Sequence, residues 1–103
     1  MDKETIKIAR QFAKKVRKEI VVSKIILFGS RATGTNFITS DFDFIIVSSD
    51  FHGTDFIKRG LNLYDCWDNN YSVDFLCYTP EEFEKKANEI CVVSEAVKTG
   101  IEI

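Results

Sequence analysis

Asp41 and Asp43 stand one residue apart at the start of an otherwise apolar run, Asp41-Phe42-Asp43-Phe44-Ile45-Ile46-Val47, whose β-branched and aromatic content predicts a strand. Residues two apart in a strand leave the same face, so both carboxylates emerge together. Like charges that close raise one pKa and oppose folding unless a cation lies between them. A hard divalent ion, Mg²⁺ by preference, suits oxygen ligands of this kind. A strand that simply opens at its solvent edge would carry the same pair at little cost and without function. Asp74 bears on that choice, because it lies in the alternating run Tyr71–Tyr78, where an unpaired carboxylate is expensive to bury. If the two runs are neighbours, three carboxylates share one face; the competing reading pairs Asp74 with a Lys or Arg.

A second feature precedes the aspartates. The run Lys24-Ile25-Ile26-Leu27-Phe28 predicts a strand covered on both faces, and it ends in Gly29-Ser30-Arg31. Gly29 allows the backbone to approach a bound group, and Ser30 offers a hydroxyl and N–H groups, a corner suited to phosphate. Neither a Walker A nor a G-x-G-x-x-G pattern is present, which removes the main support for P-loop and Rossmann readings.

The remaining elements must position these side chains. Ile6, Ala9, Phe12, Ala13, Val16 and Ile20 form one stripe of an amphipathic first helix with a basic outer face. From Thr54 to Trp67, the positions Phe56, Ile57, Gly60, Leu61, Tyr64 and Trp67 share a helical face and predict a second helix, which Gly60 weakens. Thr79-Pro80-Glu81-Glu82 has the N-cap, the N1 proline and the capping-box glutamate of a helix start. That third helix runs toward Gly100, with Asn88 as a candidate break into two, and Ile101-Glu102-Ile103 is expected to be exposed or docked on a partner. Strands alternating with helices define an α/β or α+β sheet with helical cover, in one domain spanning 1–103.

Composition narrows the function classes. With 45% hydrophobic residues, five Gly and one Pro, the chain has a core's worth of apolar material, and disorder is excluded as the main reading. No signal peptide or membrane-spanning run is visible, so a cytoplasmic protein is expected. The formal charge of −2 divides into a basic first twenty residues and an acidic remainder, which argues against sequence-specific nucleic-acid binding. Three cysteines, 66, 77 and 91, with no C-x-x-C pair, read as small buried hydrophobes rather than a zinc site or disulfide framework. His52 reads as a surface histidine, and Tyr64, Trp67 and Phe56 as core residues before any base-stacking role.

Taken together, Gly29-Ser30-Arg31-Ala32-Thr33-Gly34 followed by Ser40-Asp41-Phe42-Asp43-Phe44-Ile45-Ile46-Val47 resembles the G-S-x-A-x-G … S-D-x-D-x-x-V signature of nucleotidyltransferases related to DNA polymerase β. The length points to the minimal branch, MNT, and the resemblance spans nearly the whole chain. It implies a small mixed β-sheet backed by helices, with Gly29, Ser30, Arg31 and Ser40 at the nucleotide and Asp41, Asp43 and Asp74 as catalytic and metal-binding carboxylates. Arg31 occupies a position that varies among members, and Thr35-Asn36-Phe37 departs from the family's usual acidic or small residue and Arg. Two Mg²⁺ ions and ATP are the implied cofactor and substrate, and two-metal nucleotidyl transfer is the implied reaction. Such proteins typically pair with a helical HEPN protein, often an RNase, as its antitoxin, and members transfer AMP from ATP to a partner tyrosine. A hetero-oligomer with that toxin is therefore an expectation. Two alternatives remain: an antitoxin that neutralises its partner by covering it, and a small-molecule enzyme like the aminoglycoside-modifying relatives.

Overall fold

The computed structural model describes residues 2–103. The first helix, α1 (Lys3–Glu19), is capped by Asp2, whose carboxylate accepts from the Thr5 N–H, and it buries Thr5, Ala9, Phe12, Ala13 and Val16. Its apolar stripe is the one the spacing predicts, extended backward by one threonine. Strand β1 (Lys24–Phe28) leads through Gly29 into a single turn, α2 (Ser30–Thr33), and then to β2 (Phe42–Val47). Strand β3 (Val73–Tyr78) is followed by α3 (Pro80–Ala87), α4 (Val92–Thr99) and a two-residue strand, β4 (Ile101–Glu102). The Thr79 and Glu82 capping box is formed, and the chain does break after Ala87.

The sheet has the order β3-β2-β1-β4. Strand β1 runs antiparallel to β2 and β4, whereas β2 and β3 are parallel, so the sheet is mixed. Alternation sends Leu27, Phe42, Phe44, Ile46, Val73 and Cys77 toward α1, and Ile26, Ile45, Val47 and Tyr78 toward Val93 and Ala96 of α4. Helices therefore cover both faces of the central strands. No helix among the described residues is long and apolar enough to cross a membrane.

Several expectations need correction. The predicted helix over 54–67 is instead two 3₁₀ segments, Phe56–Lys58 and Leu61–Cys66. Winding at three residues per turn places Gly60, Leu63 and Cys66 in one inward line, so Leu63 and Cys66 are buried while Phe56, Ile57, Leu61 and Tyr64 are exposed. Arg59 anchors this segment, donating to the carbonyls of Thr54 and Cys77 and pairing with Glu82. Of the three aromatics expected in the core, Trp67 packs there against Phe12, Phe42 and Phe44, whereas Tyr64 and Phe56 lie outside against Phe75 and Tyr78. The C-terminal residues form a strand of this chain's own sheet: Ile101 and Glu102 pair with Leu27 and Ile26, Ile103 donates to the Ile25 carbonyl, and only Glu102 is exposed. Lastly, Cys66 and Cys77 are buried as expected, but Cys91 is half-buried at the N-cap of α4.

Candidate active site

The end of β1 and the beginnings of β2 and β3 meet at one edge of the sheet. Phe28 is opposite Asp43, and Asp43 is opposite Asp74 in the parallel pair. Adjacent strands lie about 4.8 Å apart, so these two carboxylates start from neighbouring backbone positions on one face. Asp41 precedes β2 by one residue and has the same parity as Asp43. This face carries Ile45, Val47, Leu76 and Tyr78 further along, under α3 and α4. Past the end of that cover the acids are reachable: Asp41 and Asp74 are exposed and Asp43 is half-buried.

The electrostatics agree with the geometry. Asp43 is held above its ordinary pKa, first by burial and then by the charges of Asp74 and Asp41. Among the described residues no salt bridge neutralises Asp74, so the competing structural ion pair is not found there. Gly29 closes the corner. Its φ of +77° and ψ of −160° lie in a region that other residues avoid, and a Cβ there would meet Asp43 Oδ2 at 2.6 Å. The bare backbone of the Gly-Ser turn thus passes directly beside the middle carboxylate.

These residues fit a divalent cation by donor chemistry: oxygen ligands on one exposed face, with an anionic charge that the protein itself leaves unbalanced. They are neighbours rather than a finished cage, since no three His, Cys, Asp or Glu side chains among the described residues are gathered tightly enough to hold an ion as they stand. Asp41, Asp43 and Asp74 are the groups that would hold it.

The Arg31 side chain is turned into the protein rather than toward the acids, while Ser40 is half-exposed. Arg31 is only 3% exposed. Its guanidinium donates to the carbonyls of Ile38 and Ser40 and to the hydroxyl of Thr5, and lies over the rings of Phe42 and Tyr71. The Ser40 hydroxyl accepts from the Phe37 N–H, bracing the same loop. Ser30 stays half-exposed at the start of α2. Thr5 and Tyr71 were not legible as part of this arrangement; the one hint is a threonine at the head of α1's apolar stripe. His52 is on the surface, where its Nε2 pairs with Glu81 Oε2 at 2.6 Å, away from the acids in sequence and in partners.

A strand, a Gly-Ser turn and three acids thus meet at one end of a mixed sheet. The chain belongs to the nucleotidyltransferase domain family, whose model matches residues 9–99. The fold is similar to a crystal structure from Sulfolobus solfataricus described as a candidate nucleotidyltransferase, with a TM-score of 0.68 and 20% identity over 96% of this chain and 78% of that one. Comparison with curated proteins gives no match.

Proposed function

We propose that this nucleotidyltransferase moves AMP from ATP to a tyrosine hydroxyl of a helical, HEPN-type partner protein and so neutralises that partner as a toxin. The observation that carries the reading is the in-register pairing of Asp43 with Asp74 beside the Gly29 turn. Gly29 and Ser30 receive the phosphates, and Asp41 and Asp43 are the residues that would hold divalent ions. Those ions, when bound, supply the charge that sharpens an acceptor oxygen and neutralises the departing pyrophosphate. Asp74 receives the proton of the acceptor hydroxyl as its oxygen bonds to the α-phosphorus and the bond to the β-phosphate oxygen breaks. The acids lie on an open face rather than at the bottom of a cleft, which favours an acceptor whose own surface completes the enclosure.

The test combines the protein with ATP labelled at the α-phosphate, Mg²⁺ and the product of the adjacent gene. Label is expected on the partner with the native chain and not with Asp41→Ala/Asp43→Ala, a loss of about 10²-fold or more. Equal neutralisation by both chains without label would overturn transfer in favour of simple covering. Labelling of a small hydroxylated compound in place of the partner would overturn the protein acceptor.

A further inference from the structure

Arg31 carries a permanent charge into the protein interior, and among the described residues no carboxylate forms a salt bridge with it. A buried cation is costly unless its donors and faces are all engaged. Here every guanidinium nitrogen is engaged: Nε and Nη2 donate to the Ser40 carbonyl at 3.2 and 3.0 Å, Nη2 also to the Ile38 carbonyl at 3.1 Å, and Nη1 to Thr5 Oγ1 at 3.0 Å. The guanidinium carbon is 4.4 Å from the centre of the Phe42 ring and 4.7 Å from that of Tyr71. Thr5 in turn donates to Asp2, which ties the assembly to the start of α1.

The position of these contacts gives them a purpose beyond stability. The Ser40 carbonyl belongs to the peptide that enters Asp41, and Phe42 is the residue that leaves it. Arg31 therefore fixes the backbone on both sides of Asp41, although it touches neither carboxylate.

We propose that Arg31 is a positioning residue for the metal-binding pair: its fork on the Ile38 and Ser40 carbonyls and its stacking on Phe42 set the direction in which Asp41 and Asp43 leave the strand. The inference rests on the nucleotidyl-transfer reading of the acids. A lysine in the same place keeps the charge but loses the planar fork, so Arg31→Lys separates geometry from electrostatics.

The test measures binding of Mn²⁺ alone, from the free-ion resonance signal, to the native chain, Arg31→Lys, Arg31→Met and Val16→Ala. The last removes core packing on α1 without touching the loop. Circular dichroism establishes that each variant is folded. Arg31→Lys and Arg31→Met are expected to weaken Mn²⁺ binding by about tenfold or more, as loss of a supporting partner typically does, while Val16→Ala binds as the native chain does. If Arg31→Met does not fold, Arg31→Lys decides the matter alone. Native affinity in the folded Arg31 variants would overturn the proposal and leave the reading of the acids intact. An equal loss in Val16→Ala would reduce Arg31 to a stabilising residue and overturn it as well. Failure of the native chain to bind Mn²⁺ would overturn the reading of the acids and the proposal with it.

Discussion

Replacing Gly29 by alanine should damage the site in a way that a similar replacement elsewhere does not. Gly29 and Gly53 both have positive φ, +77° and +79°. A Cβ on Gly53 meets nothing within 4 Å, so Gly53→Ala incurs backbone strain alone, about 1–2 kcal/mol. Gly29 is in a more restricted region, where another residue costs about 1–3 kcal/mol, and its Cβ would also push Asp43 Oδ2 outward from 2.6 Å. A loss of about 2 kcal/mol in a chain of this size lowers Tm by roughly 8–16 °C. Melting followed by circular dichroism measures the strain, and Mn²⁺ titration measures the displacement of the carboxylate. Both variants should melt early, but only Gly29→Ala should lose Mn²⁺ affinity, by about tenfold or more. Equal affinity in the two would refute the claim that the turn abuts the carboxylate proposed to bind metal.

Three further outcomes follow from titrating groups. Because Asp43 is held above its unfolded value of 3.8, the folded state binds its proton more tightly, and stability falls as pH rises from that value through the raised one. Asp43→Asn should accordingly melt higher than the native chain at pH 7 in a chelator, lose that advantage near pH 3, and gain nothing from added Mn²⁺; a lower Tm at pH 7 would contradict this. Arg59 first, and then the Thr79 N–H, hold Glu82 down to about 2, so its stabilisation is present above 4.5 and lost as pH falls toward 2. Glu82→Gln keeps an acceptor for the Thr79 N–H but loses the charge facing Arg59, so it should lose up to about 1 kcal/mol in urea denaturation at pH 7 and approach the native chain as pH falls to 2. Burial pushes the Cys77 thiol up to about 12 and raises that of Cys66, so brief alkylation at pH 8 should modify Cys91 in the folded protein and all three cysteines after unfolding. Mass spectrometry of the peptides would reveal early modification of Cys77 if this reasoning fails.

The acids and the Gly-Ser turn were legible because their signals are local. An alternating strand fixes which face Asp43 and Asp74 occupy, and Thr79-Pro80-Glu81-Glu82 satisfies its own backbone donors wherever the helix is placed. What brings Asp74 opposite Asp43 is the parallel register of β2 and β3, and no residue in either strand announces that direction. The segment after Thr54 misled for a physical reason: 3.6-residue and 3.0-residue windings share their first contacts, and only the long-range anchor at Arg59 selects the tighter one. Arg31 shows a deeper limit. Inside a phosphate-binding motif its charge suggests a ligand, yet its partners are two carbonyls and a threonine, donors and acceptors that every loop and helix contains.

The alternation that turns the acids outward turns Phe42, Phe44 and Phe75 inward, where the chain's single tryptophan touches the first two. Trp67 sits 5.1 Å from the Phe42 ring, with its indole N–H donated to the Tyr71 carbonyl. Its intrinsic emission therefore looks at the reverse side of the strand that carries Asp43, giving the unmodified protein an optical probe one sheet-thickness from the acids.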